Sequence, residues 1–291
     1  MFDARRASDA RAASDVRAAS DDRGVSDVRR VSDARAASDV RAASDARAAS
    51  DVRTASVGRV VGLWRYPVKS MAAEALRAAD VGWHGFVGDR RWAFVRSDVP
   101  ESNFPWLTLR EEANLGHYHP SFTEPNRPET SPTTVRTPSG AVLRITDPAL
   151  AAEISTSPVH VLRQARGIFD TFPLSVITTQ TIQRLSEMVG QPLEVDRFRP
   201  NILVEAESSE PFAEDEWVGQ VLQIGQMRMR VDKRDGRCVV ITIDPVTGER
   251  NPQILRTVAS DRGGCLGVYG TTVEPGSVEV GDTVALAGLT P

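Results

Sequence analysis

Regular hydrophobic patterning begins at Val57 and continues almost to the C-terminus. The run at residues 57–64 reads as a strand, broken by the loop Arg65-Tyr66-Pro67-Val68-Lys69-Ser70. Further strands are expected at residues 74–81 and 91–95, on either side of a glycine-rich stretch at 82–88. Residues 135–137 and 141–145 flank Pro138-Ser139-Gly140 and read as a hairpin. Asp147 and Pro148 together form a helix start, with the helix expected to run to Ile154. Residues 101–132 are proline-rich and poorly patterned, and read as loop and edge strand.

In the second half, residues 174–177 form a buried-looking strand. Thr178 or Thr179 then caps a helix over 180–189, with Ile182, Leu185, Met188 and Val189 at helical spacing and Gly190 as its stop. Strands follow at 202–205, 221–224 and 227–231, and the β-branched residues 239–243 predict another. It ends in the turn sequence Asp244-Pro245-Val246-Thr247-Gly248. A helix is expected from Pro252 to Val258, and short strands close the chain. Many short strands with few helices predict a mainly β, α+β protein built on β-barrels.

Residues 1–56 are different in kind. Arginine recurs at every sixth position from Arg5 to Arg53, with aspartate in a matching series and only alanine and occasional valine as apolar residues. A six-residue period gathers no apolar stripe on a helix, and such a segment buries too little to offset ordering. The expectation is a disordered tail, or a start codon placed upstream of the true one.

Composition narrows the function. The chain of 291 residues carries a net charge of −4, so an extended nucleic-acid surface is not expected. No apolar run reaches membrane-spanning length, and the charged N-terminus does not read as a signal peptide. Two cysteines without metal-ligand spacing argue against disulfides and a structural zinc site, and place the protein in the cytoplasm. Only Lys69 and Lys233 are lysines among 35 basic residues.

Cys238 follows the charged turn Asp235-Gly236-Arg237, and a neighbouring guanidinium favours the thiolate that binds metal or attacks electrophiles. The plain alternative is a small buried residue on a strand. Lys69, Ser70, Arg90, Thr178, Arg199, Asn201 and Arg237 also lie at loops or element starts, where cations, hydroxyls and backbone N–H groups can hold a phosphorylated anion. Each has an ordinary reading too: a solvated charge, a surface ion pair, a helix cap.

Four motifs in order, Tyr66-Pro67-Val68-Lys69-Ser70, Phe198-Arg199-Pro200-Asn201, Arg237-Cys238 and Asp244-Pro245-Val246-Thr247-Gly248, resemble the MOSC family (molybdenum cofactor sulfurase C-terminal domain). The closer likeness is to its two-domain branch, which includes the mitochondrial amidoxime-reducing component. The resemblance implies a MOSC N-terminal β-barrel-like domain at 57–165 and a MOSC domain at 166–291. It implies molybdenum cofactor (molybdopterin) binding, with Cys238 as the thiolate ligand to molybdenum. Lys69, Ser70, Arg90, Thr178, Arg199, Asn201 and Arg237 would hold the cofactor, and Arg237 and Thr247 would orient the ligand. The implied reaction is reduction of N-hydroxylated small molecules at molybdenum; the alternative is a cofactor or sulfur carrier. Two cysteines cannot ligate an iron–sulfur cluster, so electrons would come from a separate ferredoxin or flavoprotein reductase. Pyridoxal phosphate is ascribed to parts of the family, but no Schiff-base lysine is assigned here. Cys265 matches no ligand position and reads as structural.

Overall fold

The computed structural model describes residues 55–287, and the repeat expected to be a tail lies outside them apart from its last two residues. Sixteen strands and three α-helices are formed among the described residues. The first half contributes β1 (Ala55–Arg65), β2 (Glu74–Leu76), β3 (Ala78–Gly82), β4 (Gly85–Phe86), β5 (Trp92–Arg96), β6 (His119–Phe122), β7 (Thr133–Arg136), β8 (Val142–Arg144), α1 (Pro148–Ile154) and β9 (Val159–Arg163). The second half contributes β10 (Leu174–Thr178), α2 (Thr179–Val189), β11 (Ile202–Ala206), β12 (Val221–Ile224), β13 (Met227–Gly236), α3 (Pro252–Arg262), β14 (Cys265–Glu274), β15 (Gly276–Glu279) and β16 (Thr283–Ala287).

Seven strands close a barrel in the order β1-β11-β10-β14-β13-β12-β16 and back to β1. Closure depends on β1, which pairs with β11 on one side and β16 on the other, bulging between Ser56 and Gly58 and between Val60 and Gly62. A side chain at Gly58 would meet the Glu205 carbonyl at 2.6 Å, so glycine permits this close approach. Only β10 and β11 run parallel within the barrel, and α2 makes the crossover between them.

The barrel interior is apolar, with Val60, Leu63, Val204, Leu222, Met229 and Val268 all buried. Outside the barrel, α2 and α3 pack through Ile182, Leu185, Ile254 and Val258. A separate core under β5–β9 and α1 gathers Val68, Phe94, Leu115, Val135 and Leu150. Asp147 caps α1 and Thr178 caps α2, each accepting from a first-turn N–H, while left-handed Gly190 ends α2.

The structure departs from the sequence reading in several places. Residues 239–243 form no strand: Val239–Thr242 is a 3-10 helix. The ladder ends at the Gly236–Cys265 pair, Arg237 N–H donates to the Gly264 carbonyl just beyond it, and the chain then leaves the sheet. The Thr242 hydroxyl donates to the Val239 carbonyl at 2.7 Å and tightens the turn, so local bonding overrides β-branched preference. The strand expected over 74–81 divides into β2 and β3 around Arg77. Two elements run further than expected, β13 to Gly236 and α3 to Arg262, where left-handed Gly263 caps it. The unpatterned 101–132 stretch holds β6 and a 3-10 helix, Ala113–His117.

Candidate functional site

At one end of the barrel, where β13 runs out, lies a cavity of about 190 Å³. Lys69, Ser70, Arg90, Arg199, Asn201, Arg237 and Cys238 all line it, from segments as far apart as 69 and 238 in sequence. The loops carrying them are stitched together at the buried Asp89 carboxylate. It accepts from Tyr66 N–H at 2.7 Å and from Asn201 Nδ2 at 3.1 Å, and it pairs with Arg90. Arg90 N–H donates to the Tyr66 carbonyl at 2.6 Å, and Lys69 N–H to the Trp92 carbonyl at 2.8 Å.

Ser70, Arg90 and Arg199 have positive φ values of 69°, 47° and 52°. Among the described residues only one other non-glycine, Phe212, does the same. Such conformations cost on the order of 1–3 kcal/mol each and persist where the surroundings over-determine them. Three of them on one cavity wall mark it as a site whose geometry outranks local comfort.

The cavity is cationic. Lys69, Arg90, Arg110, Arg197, Arg199 and Arg237 face only two carboxylates, Asp170 and Asp235. Five of these cations have carboxylate partners: Lys69 and Arg110 share Asp170, Arg90 pairs with Asp89, Arg197 with Asp244 and Arg237 with Asp235. Arg199 is the exception among the described residues. Its guanidinium stacks 4.4 Å from the Tyr66 ring centroid and donates to the Met71 carbonyl at 2.8 Å. Burial, together with the like charge of Arg90, pushes it down to about 10. Asp89 and Asp196 oppose that shift from a distance but neither forms an ion pair with Arg199, and a bound oxyanion would supply the missing partner.

Cys238 lines the same cavity, part-buried, at the start of the 3-10 helix. The guanidinium beside it is not that of its sequence neighbour. Arg237 is turned inward, donating to the carbonyls of Leu266 and Phe198, both at 2.8 Å, and pairing with Asp235 at 3.0 Å. Arg110, from the stretch without pattern, places Nη2 3.6 Å from Cys238 Sγ. That contact, reaching across 128 residues, left no local mark in the sequence.

Asn201 lines the cavity but spends its amide on the framework, donating to Asp89 and the Trp64 carbonyl and accepting from Ser175 N–H. Thr178 and Thr247 are not brought to the cavity. The Thr178 side chain is fully buried at the α2 cap, bonded to Glu214 and Thr181. Thr247 is exposed in the Asp244 turn, where its N–H donates to Asp244 Oδ1 at 3.0 Å. Asp170, Asp235, Ser175, Tyr269 and Arg110 line the cavity without having been flagged by any motif. Cys265 is a free, part-buried residue at the start of β14 and does not line the cavity. Among the described residues no group of three or more His, Cys, Asp or Glu could hold a metal ion.

Two adjoining family profiles match this architecture, the MOSC N-terminal beta barrel domain over residues 57–167 and the MOSC domain over 163–285. The chain belongs to the MOSC family. The molybdenum cofactor sulfurase of Bombyx mori is 34% identical over 125 residues, 40% of this chain and 14% of that protein. Mitochondrial amidoxime-reducing component 1 of Homo sapiens is 28% identical over 132 residues, 41% of this chain and 38% of that protein. The chain thus matches well under two thirds of either MOSC relative's length. Among solved structures, the YUAD protein from Bacillus subtilis aligns over 79% of this chain and 95% of its own at a TM-score of 0.45 and 12% identity. No helix among the described residues is long and apolar enough to cross a membrane.

Proposed function

We propose that this protein is a cytoplasmic molybdenum-cofactor oxidoreductase that reduces N-hydroxylated small molecules with electrons from a separate redox protein. The reading rests on one observation: a single thiol, Cys238, shares a cavity with six cations, one of which has no carboxylate partner. The residues fit the cofactor's chemistry. Cys238 offers the soft thiolate that suits molybdenum. Lys69, Ser70, Arg90 and Arg199 offer charge-assisted donors for a phosphate, with Arg199 supplying the unspent charge. Thr178 and Thr247 stay outside this cradle, and Asn201 and Arg237 act by holding its walls. The bound cofactor would supply two-electron oxygen-atom transfer, while the chain binds, orients and screens the reactants. In balance, R–NH–OH takes two electrons and two protons and leaves as R–NH₂ and water. Arg110, 3.6 Å from Cys238 Sγ, sets a positive charge beside the sulfur.

The test uses protein with confirmed molybdenum content, a reduced viologen dye, and a panel of amidoximes, hydroxylamines and N-oxides. Dye oxidation that needs both substrate and Cys238, is lost in Cys238→Ala and survives in Cys265→Ala, is the expected result. Loaded protein that stays silent over the panel yet activates a cofactor-free molybdoenzyme would be a carrier instead.

A further inference from the structure

The two carboxylates of the cavity are placed differently: Asp235 is buried, whereas Asp170 is not. Asp170 lies in the loop between β9 and β10, on the cavity rim, with its side chain 38% exposed. Its two oxygens are divided between two cations: Oδ1 accepts from Lys69 Nζ, and Oδ2 from Arg110 Nη2 at 3.0 Å. The Phe104 ring lies over both cations, 5.5 Å from Lys69 Nζ and 5.3 Å from the Arg110 guanidinium carbon. Lys69 itself is buried, and among the described residues its only other acceptor is the Ile168 carbonyl at 3.1 Å. Without Asp170, an ammonium cut off from water would stand near Arg90 and Arg110 with no anion at hand. Burial pulls Lys69 below the usual lysine range, and Asp170 is the largest influence opposing that shift.

We infer that Asp170 is a built-in competitor for the oxyanion site at Lys69, filling it until a ligand that also engages the rest of the cavity displaces it. This rests on the reading of Lys69 and its neighbours as a phosphate cradle. The geometry makes displacement inexpensive. When an oxyanion takes Lys69, Asp170 keeps its bond to Arg110 and gives up only half its contacts. The consequence is selectivity. A free phosphate gains Lys69 but must evict Asp170 with nothing else to offer. A larger ligand with a phosphate at one end and sulfur ligation at Cys238 recovers the loss through its other contacts.

The experiment uses metal-free full-length protein and inorganic phosphate, followed by phosphorus NMR titration and calorimetry. Thermal melts confirm that each variant is folded. Asp170→Asn should bind phosphate at least about tenfold tighter than wild type, one charge-assisted contact having been freed for the ligand. Lys69→Met should abolish the gain when combined with Asp170→Asn. Asp244→Asn removes the same charge from the partner of Arg197 but touches neither Lys69 nor Arg110, and should change binding far less. If Asp170→Asn binds phosphate no better than wild type, or more weakly, Asp170 merely steadies Lys69 and the inference is overturned. An equal gain from Asp244→Asn reduces the effect to bulk charge and overturns it too. The cradle reading fails separately, if phosphate binds wild type and Asp170→Asn alike and neither Lys69→Met nor Arg199→Met weakens it.

Discussion

At the scale of single residues, a half-buried guanidinium with no carboxylate ion pair among the described residues is the sharpest feature of this protein. Arg199 gains from stacking on Tyr66 and from one carbonyl, and it adopts a left-handed φ of 52° to do so. A residue kept only for stability would not combine those costs with an unmatched charge. Arg199→Met should therefore leave the melting temperature of metal-free protein unchanged or higher. Cofactor retention should fall more than tenfold, since a hydrogen bond to a charged group contributes about 1.5–3 kcal/mol. Molybdenum content after gel filtration measures the second effect, and a sharp drop in metal-free stability would return Arg199 to a structural role. The motifs made Lys69, Ser70, Arg199 and Cys238 legible because each sits in a short loop of distinctive composition, and Arg90 was legible from its place just before a strand. Arg110 and Asp170 were not legible, since their roles come from contacts 128 and 101 residues away. Thr178 misled for a physical reason: a hydroxyl and free N–H groups at a helix start suit a cap and a phosphate equally well. Here Glu214 takes the hydroxyl.

At the scale of elements, that same glutamate sets how the start of α2 responds to pH. Glu214 is fully buried and accepts from the Thr178 and Thr181 hydroxyls, both at 2.8 Å, and from Thr178 N–H at 3.3 Å. Burial raises its carboxyl above the ordinary glutamate range, outweighing the hydrogen bonds that favour ionisation. The folded state thus holds this proton more tightly than the unfolded chain does. Its stabilising contribution is complete below the unfolded value of about 4.3 and is lost as pH rises through the raised folded value. Glu214→Gln should remove that decline, so urea unfolding from mild acid to neutral pH should give a flatter stability profile than wild type. An unchanged profile would show that Glu214 is ionised in the fold. Apolar periodicity and start signals made most strands and all three α-helices readable in advance. They failed at residues 239–243, where the chain has left the sheet after Gly236 and the Thr242 hydroxyl closes a 3-10 turn on the Val239 carbonyl.

At the scale of the whole molecule, barrel closure is what the sequence leaves least visible, because the partners of β1 lie near residues 202–206 and 283–286. The strand begins at Ala55, two residues before the patterning becomes recognisable at Val57. This locates the boundary at which truncation should change from harmless to destructive. Removing residues 1–54 takes away a repeat that, by composition, buries little, and both the melt and the molybdenum content should match full length. Cutting on to Leu63 removes the Ala55–Leu286, Ser56–Ala285, Gly58–Val284 and Arg59–Thr283 pairings on one side and the pairings of Gly58 to Leu63 with β11 on the other. It also deletes Val60 and Leu63, buried to 0% and 1% exposure in the barrel core. Those two side chains contribute about 3–6 kcal/mol between them, before any loss of ladder bonds. Against a total stability on the order of 5–15 kcal/mol, that leaves little of the fold. The longer truncation should accumulate as insoluble protein or show no cooperative melt, and retain no cofactor, although Lys69 and every other residue of the cradle remain in the chain. A cooperative melt from it would mean that β11 and β16 can close the barrel without β1, and that the site does not depend on closure.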